Sequence, residues 1–179
     1  MIRKLFPALL ALAAACLPLL AQAEDGTLKK IRSSGSITLG VRESSVPLSY
    51  LDAAQQPVGY HIEICNRIVD AIKAHLKLPA LRVLHQTVTS QNRIPLVTNG
   101  TVDLECGSTT NNEARGRQVA FAPTTFVTRV RMAVKKSSGI ASLAQLDGKP
   151  VATTTGTTSV ALMRAHEKGK AVDFKEVYG

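Results

Sequence analysis

The sequence predicts an α/β protein built on parallel sheets. Two observations predict it. Short runs rich in branched apolar residues alternate along the chain with stretches of helical periodicity. Arg42, Ser108, Thr110 and Gly156 all fall on loops that follow such runs, where parallel sheets bind ligands.

The elements follow in order. Arg3 and Lys4 make a charged start, residues 9–20 an apolar run, and Ala21-Gln22-Ala23 a small-x-small site. That pattern predicts a secretory signal peptide over residues 1–23, cleaved after Ala23, with an apolar run too short to span a bilayer well. Lipidation at Cys16 is disfavoured, because Ala13 stands where a lipoprotein signal has Leu and the apolar run continues past the cysteine. Residues 28–34 predict a short helix closed by Gly35, and residues 36–41 (SITLGV) a strand. Residues 42–50 read as a loop around Pro47, and 52–57 as a turn. Gly59 leads into a helix with Ile64, Ile68 and Ile72 on one stripe. Residues 81–88 form the next strand, 91–99 a short helix stopped by Asn99-Gly100, and 102–106 a buried strand. Residues 127–134 predict a strand and 135–139 a surface turn. A short helix follows at 142–146, a strand at 151–155, a helix at 157–168 and a strand within 171–178.

Charge and cysteines bound the class. Signal removal takes two basic residues and no acids, so the formal charge falls from +9 to about +7. That charge favours solubility and steers anionic ligands toward a cleft. Nucleic acid is not an expected partner: the basic residues are scattered and no aromatic row interleaves them. Cys65 and Cys106 are expected as buried free thiols, with oxidation the alternative in an exported protein. No CxxC or Cys/His zinc pattern occurs, so neither a metal nor a cofactor is expected.

The stretch 89–115 (TSQNRIPLVTNGTVDLECGSTTNNEAR) is the most informative. Arg93 and Arg115 stand near its ends, with Gly107, Ser108, Thr109 and Thr110 on a loop between them. A guanidinium fork matches a carboxylate, and small hydroxyl residues add short donors around the same anion. Arg42, flanked by Ser44 and Ser45, is placed either for an anion or for Glu43. Ser90 and Arg93 share one face of a helix start, and Ser90 also suits the N-cap. The run TTTGTTS at 153–159 joins a strand to a helix. Its free amides and helix dipole attract a carboxylate, although an ordinary Ser/Thr cap would look alike. It is not a nucleotide-binding P-loop, since no Gly-Lys-Ser/Thr follows. His61, His85 and His166 have no Ser or Cys arrangement that signals a nucleophile, and Asp103 reads as structural. The chemistry on offer is binding, not catalysis.

These residues resemble a known family. The pattern Leu96-x-x-Asn99-Gly100-x-x-Asp103, then the Ser/Thr loop and Arg115, resembles the periplasmic solute-binding proteins of polar amino-acid ABC transporters (bacterial extracellular solute-binding protein family 3). RESSVP at 42–47, TSQNRIPL at 89–96, ECGSTTNN at 105–112 and TGTTS at 155–159 are similar to the glutamate/aspartate-binding subgroup. The resemblance implies the type II periplasmic-binding fold of two α/β lobes that close on ligand. Lobe 1 would occupy 24–124, and the crossover with a partial lobe 2 would occupy 125–179. It implies that Ser108, Thr110 and Arg115 hold the ligand's α-carboxylate, joined by Thr158 from the second lobe. Arg42, Ser90 and Arg93 would surround the side-chain carboxylate. The implied partners are glutamate or aspartate and an inner-membrane ABC permease, with a monomeric protein in the periplasm. The family's acidic residue for the ligand ammonium, and a histidine of the subgroup, would fall beyond Gly179, so an amino-terminal fragment is expected. An enzyme on the same fold, such as a dehydratase or a module joined to a peptidoglycan-cleaving domain, and a sensor domain of a membrane receptor are the alternatives.

Overall fold

The computed structural model describes residues 26–169 and 175–178. The expected signal peptide and its cleavage site lie outside them. Helix α1 (Gly26–Ser34) buries Ile31 and ends where Gly35, at φ +61°, returns its N–H to the Ile31 carbonyl. Strand β1 (Ser36–Val41) buries Ile37, Leu39 and Val41 at the middle of the main sheet. Three further short strands, β2 (Ser44–Ser45), β3 (Ser49–Leu51) and β4 (Pro57–Val58), form an antiparallel sheet where only a loop and a turn were expected. Their runs are too short to show alternation in sequence. Helix α2 (Tyr60–Leu76) follows, then strand β5 (Arg82–Thr87), helix α3 (Arg93–Thr98) and strand β6 (Leu104–Glu105). The main sheet has the order β5-β1-β6, and β1 pairs parallel with both neighbours from Ser36↔Arg82 to Val41↔Thr87 and at Leu39↔Leu104. The parallel α/β expectation therefore holds.

Asp103 is structural, as expected. Its Oδ2 accepts from the Thr38 N–H at 2.9 Å and its Oδ1 from Lys30 Nζ at 2.8 Å, so it ties α1 and β1 to the approach to β6. A short helix α4 (Glu113–Gly116) precedes an extended segment. Two 3-10 turns at Lys136–Ser138 and Leu143–Leu146 lead to strand β7 (Pro150–Thr153), helix α5 (Thr158–Gly169) and strand β8 (Lys175–Tyr178). β7 and β8 pair in parallel. Two hydrophobic clusters result. The larger joins α1, β1 and α2, while a small one holds Leu146, Val151 and Met163.

Three expectations are corrected. The buried stripe of α2 is Ile62, Cys65, Val69 and Leu76, while Ile64 and Ile68 are half-buried at its border. Ile72 packs against the main cluster, so the isoleucine stripe overlaps the edge of the buried face, whose centre Cys65 occupies. Cys65 and Cys106 are not free thiols but a disulfide, with their Cα atoms 6.2 Å apart. Packing of α2 against the sheet brings the two positions together, and no sequence spacing reports that. Residues 127–134 form no strand. The alternation is there, but no neighbouring strand among the described residues pairs with it, and Val127 is 85% exposed.

Candidate functional site

Arg42 leaves the end of β1 with its backbone N–H donating to the buried Ser49 hydroxyl at 2.9 Å. Its Nη1 donates to Ser90 Oγ at 3.2 Å, so the guanidinium turns to the predicted site residue and not to Glu43. Arg93 opens α3. The cap expected from Ser90 is not made, and no side chain caps α3; the turn ahead of it is held by a reciprocal pair, Thr89 N–H donating to Asn92 Oδ1 (2.7 Å) and Asn92 N–H to Thr89 Oγ1 (3.1 Å). Ser90 is thereby left to meet Arg42. Arg93 is only 4% exposed, and its Nε has no hydrogen-bond partner. Burial pulls its pKa down to about 10; nearby Glu105 opposes this, and the Arg115 and Arg42 charges add to it. It remains cationic at neutral pH. A buried, incompletely paired cation is costly unless an anion meets it.

Arg115 is aimed by its own helix start, where Asn112 Oδ1 accepts the Arg115 N–H at 3.0 Å. Nη1 donates to the Thr110 carbonyl and Nη2 to the Gly156 carbonyl, each at 3.0 Å. Burial lowers its pKa, and Glu105 opposes that. Ser108 Oγ donates to Ser45 Oγ at 3.3 Å. Gly156 has φ +76°, and a Cβ there would lie 2.6 Å from the Ser90 carbonyl oxygen and 2.9 Å from Gln91 Cα. The loop before α5 thus rests on the Ser90–Gln91 backbone, two residues before Thr158, the first residue of α5. Arg42 and Ser90 are in direct contact, Arg93 interacts electrostatically with Arg42 and Arg115, and Arg115 bridges the Thr110 and Gly156 loops. Thr110 offers its carbonyl here, with its side chain exposed.

Two residues escaped the sequence reading. Glu105 sits at the end of β6 with Oε1 buried and unpartnered. Burial raises its pKa, while Thr109, Arg93, Arg42 and His61 oppose the rise. An acid inside a buried strand next to the Ser/Thr loop was the available signal. His61 places Nδ1 on the Gly107 carbonyl and Nε2 on Thr125 Oγ1 (3.0 Å). A carbonyl only accepts, so Nδ1 carries a proton. His61 thereby joins the Ser/Thr loop to the segment that leaves the main sheet. His166 is half-buried.

A cleft of about 450 Å³ runs between α2, α3 and residues 119–128. Its walls are mostly apolar, including Ile64, Ile68, Ile94 and Phe121, and Arg93, Glu105 and the 107–110 loop also line it. Arg42, Ser90, Arg115 and Thr158 do not line it. Among the described residues, no group of three or more His, Cys, Asp or Glu is placed for a metal ion, and no helix is long and apolar enough to cross a membrane.

Comparison with known proteins adds to this geometry. Residues 37–177 match the model of the bacterial extracellular solute-binding proteins, family 3. The chain is 49% identical over 154 residues to the L-glutamate/L-aspartate-binding protein of Pseudomonas aeruginosa, covering 86% of this chain and 51% of that protein. It is 49% identical over 163 residues to the glutamate/aspartate import solute-binding protein of Escherichia coli, covering 88% of this chain and 54% of that one. The chain thus spans about half the length of the curated relatives it matches. Among solved structures, the ancestral amino acid-binding protein AncCDT-1, a precursor of cyclohexadienyl dehydratase, superposes with TM-score 0.71 at 22% identity, over 86% of this chain and 64% of that one. At that identity the likeness concerns the fold alone. The family match over most of the chain agrees with the parallel sheet and the loops at its carboxyl edge, and the protein belongs to the bacterial extracellular solute-binding proteins, family 3.

Proposed function

We propose that the protein binds glutamate or aspartate in the periplasm and delivers it to an inner-membrane ABC importer. The observation that carries this reading is the convergence of Arg42, Arg93 and Arg115 with Ser90 and the 107–110 loop. Three guanidiniums suit a dicarboxylate. A neutral side chain would leave Arg42 and Arg93 desolvated and unpaired, at a cost of about 1–3 kcal/mol or more. The names of the relatives point the same way.

In this reading Ser108, Thr110, Arg115 and Thr158 hold the α-carboxylate, and Arg42, Ser90 and Arg93 the side-chain carboxylate. Lobe 1 comprises residues 24–124, and the crossover with the beginning of lobe 2 comprises 125–179. The two separate hydrophobic clusters support that division. Ligand bridges Arg115 and the start of α5 and stabilises the closed state by differential affinity. The protein works as a monomer and catalyses no reaction. Titration calorimetry of the full-length protein with L-glutamate, L-aspartate, L-glutamine and L-lysine tests the assignment. The acidic pair should bind at least tenfold more tightly, and preference for glutamine or lysine would sink the reading.

A further inference from the structure

Glu105 has no place in the binding scheme above, yet it is built into the arginine cluster. Its carboxylate packs against the bare Cα of Gly107, where an added Cβ would strike Glu105 Oε1 and stand 2.8 Å from Arg42 Cγ. Glu105 Oε1 and Arg93 Nε are both buried, and neither has a hydrogen-bond partner. The groups that act on the carboxylate come from every side: Arg93 from the start of α3, Arg42 from the end of β1, His61 from α2 and the Thr109 hydroxyl from its own loop. Arg115 in α4 feels its charge in turn. His61 has both ring nitrogens committed to Gly107 and Thr125, so it gives the carboxylate no hydrogen bond.

We propose that Glu105 is the resident counter-ion of the arginine cluster, and that it sets the cluster's unbalanced charge to the two carboxylates of an acidic amino acid. The proposal rests on the acidic-ligand reading for its second half only. Without ligand, three guanidiniums held close together repel one another, and Arg93 is buried away from water. A fixed carboxylate offsets one of the three charges and keeps the cluster assembled. An entering dianion balances the other two. The same carboxylate repels the ligand's carboxylates, so Glu105 stabilises the unliganded protein and tempers affinity. Burial raises its pKa, and the Thr109 hydroxyl with the Arg93, Arg42 and His61 charges pulls the other way, toward the carboxylate form.

The test uses the full-length protein with Glu105→Gln, Arg93→Gln and the double variant. Without ligand, Glu105→Gln should lower Tm by about 5 °C or more. Sulfate, a probe anion that can take the carboxylate's place, should recover much of that loss. Calorimetry should show L-glutamate binding about tenfold more tightly to Glu105→Gln than to the parent, since repulsion is gone. In the Arg93→Gln background the same change should cost far less Tm, because the buried cation it served is absent. An unchanged Tm, an equal loss in both backgrounds, or weaker glutamate binding alongside the lower Tm would overturn the proposal and leave Glu105 a packing residue. If Glu105→Gln does not fold, the double variant decides: folding supports the counter-ion, and failure to fold refutes it. If not even the parent binds L-glutamate, the acidic-ligand reading fails, while the Tm and sulfate measurements still judge the counter-ion.

Discussion

At position 156 a side chain would meet the Ser90 carbonyl oxygen 2.6 Å from its Cβ, in a backbone with φ +76°. Both facts demand glycine, and they can be separated. Gly148 has φ +65° but nothing within 4 Å of an added Cβ. Gly148→Ala should therefore cost only the left-handed strain, about 1–2 kcal/mol of stability, and leave ligand affinity unchanged. Gly156→Ala carries the same strain and also pushes its loop off Ser90–Gln91, which breaks the Arg115 contact to the Gly156 carbonyl. Its ligand affinity should fall by about tenfold or more. Thermal scans and calorimetry on both variants check this, and equal affinities would deny the loop contact any part in binding. The same scale explains why Ser90 is free for Arg42: Thr89 and Asn92 hold the turn ahead of α3 by bonding to each other.

The element with most leverage on the site is α2. Its first turn holds the exit segment through Tyr60 Oη, which donates to the Thr125 carbonyl at 3.3 Å, and through His61. One turn later Cys65 clamps it to Cys106, the residue before Gly107. The Ser/Thr loop thus starts from a covalently fixed point. The bridge closes a loop between residues 41 apart in sequence. In the chain-entropy account such a loop is worth about 4 kcal/mol, and measured bridges often deliver less. Reduction, or Cys65→Ser with Cys106→Ser, should lower the unfolding free energy by about 2–4 kcal/mol in denaturant titrations. A loss below about 0.5 kcal/mol would show that helix packing alone places Cys106. An oxidised pair on the main core also fits an exported protein, in agreement with the extracellular family.

Across the whole molecule the apolar surface is uneven. The main cluster is well buried, but Val127, Val130 and Val134 are exposed in a row beside arginines and lysines, and an apolar cleft opens along 119–128. Monomeric proteins rarely leave such contiguous apolar surface open. The 179-residue chain should therefore bind the dye ANS strongly and self-associate in light scattering. A longer form of the chain in which this face is covered should do neither. A dye-silent, monodisperse 179-residue chain with a cooperative unfolding transition would show that the exposed row is tolerated as it stands. The net positive charge acts at the same scale, drawing anions toward the arginines from a distance.

The sequence by itself determined the parallel α/β order, the bounds of β1 and α5 to within a residue, and the arginines and hydroxyl residues of the candidate site. Those features are local: branched runs, glycine stops and donor types are written residue by residue. It also determined the family, through four short motifs in order. Only the tertiary structure decided which face of α2 packs, that Cys65 meets Cys106, that residues 127–134 find no partner strand among the described residues, and that Ser90 meets Arg42. Each depends on what stands opposite a residue after the chain has folded, and sequence spacing carries no such term. Glu105 shows the difference most plainly. In sequence it is one acid in a short strand, whereas in the fold its lone carboxylate stands among three guanidiniums, and burial turns that neighbourhood into its chemistry.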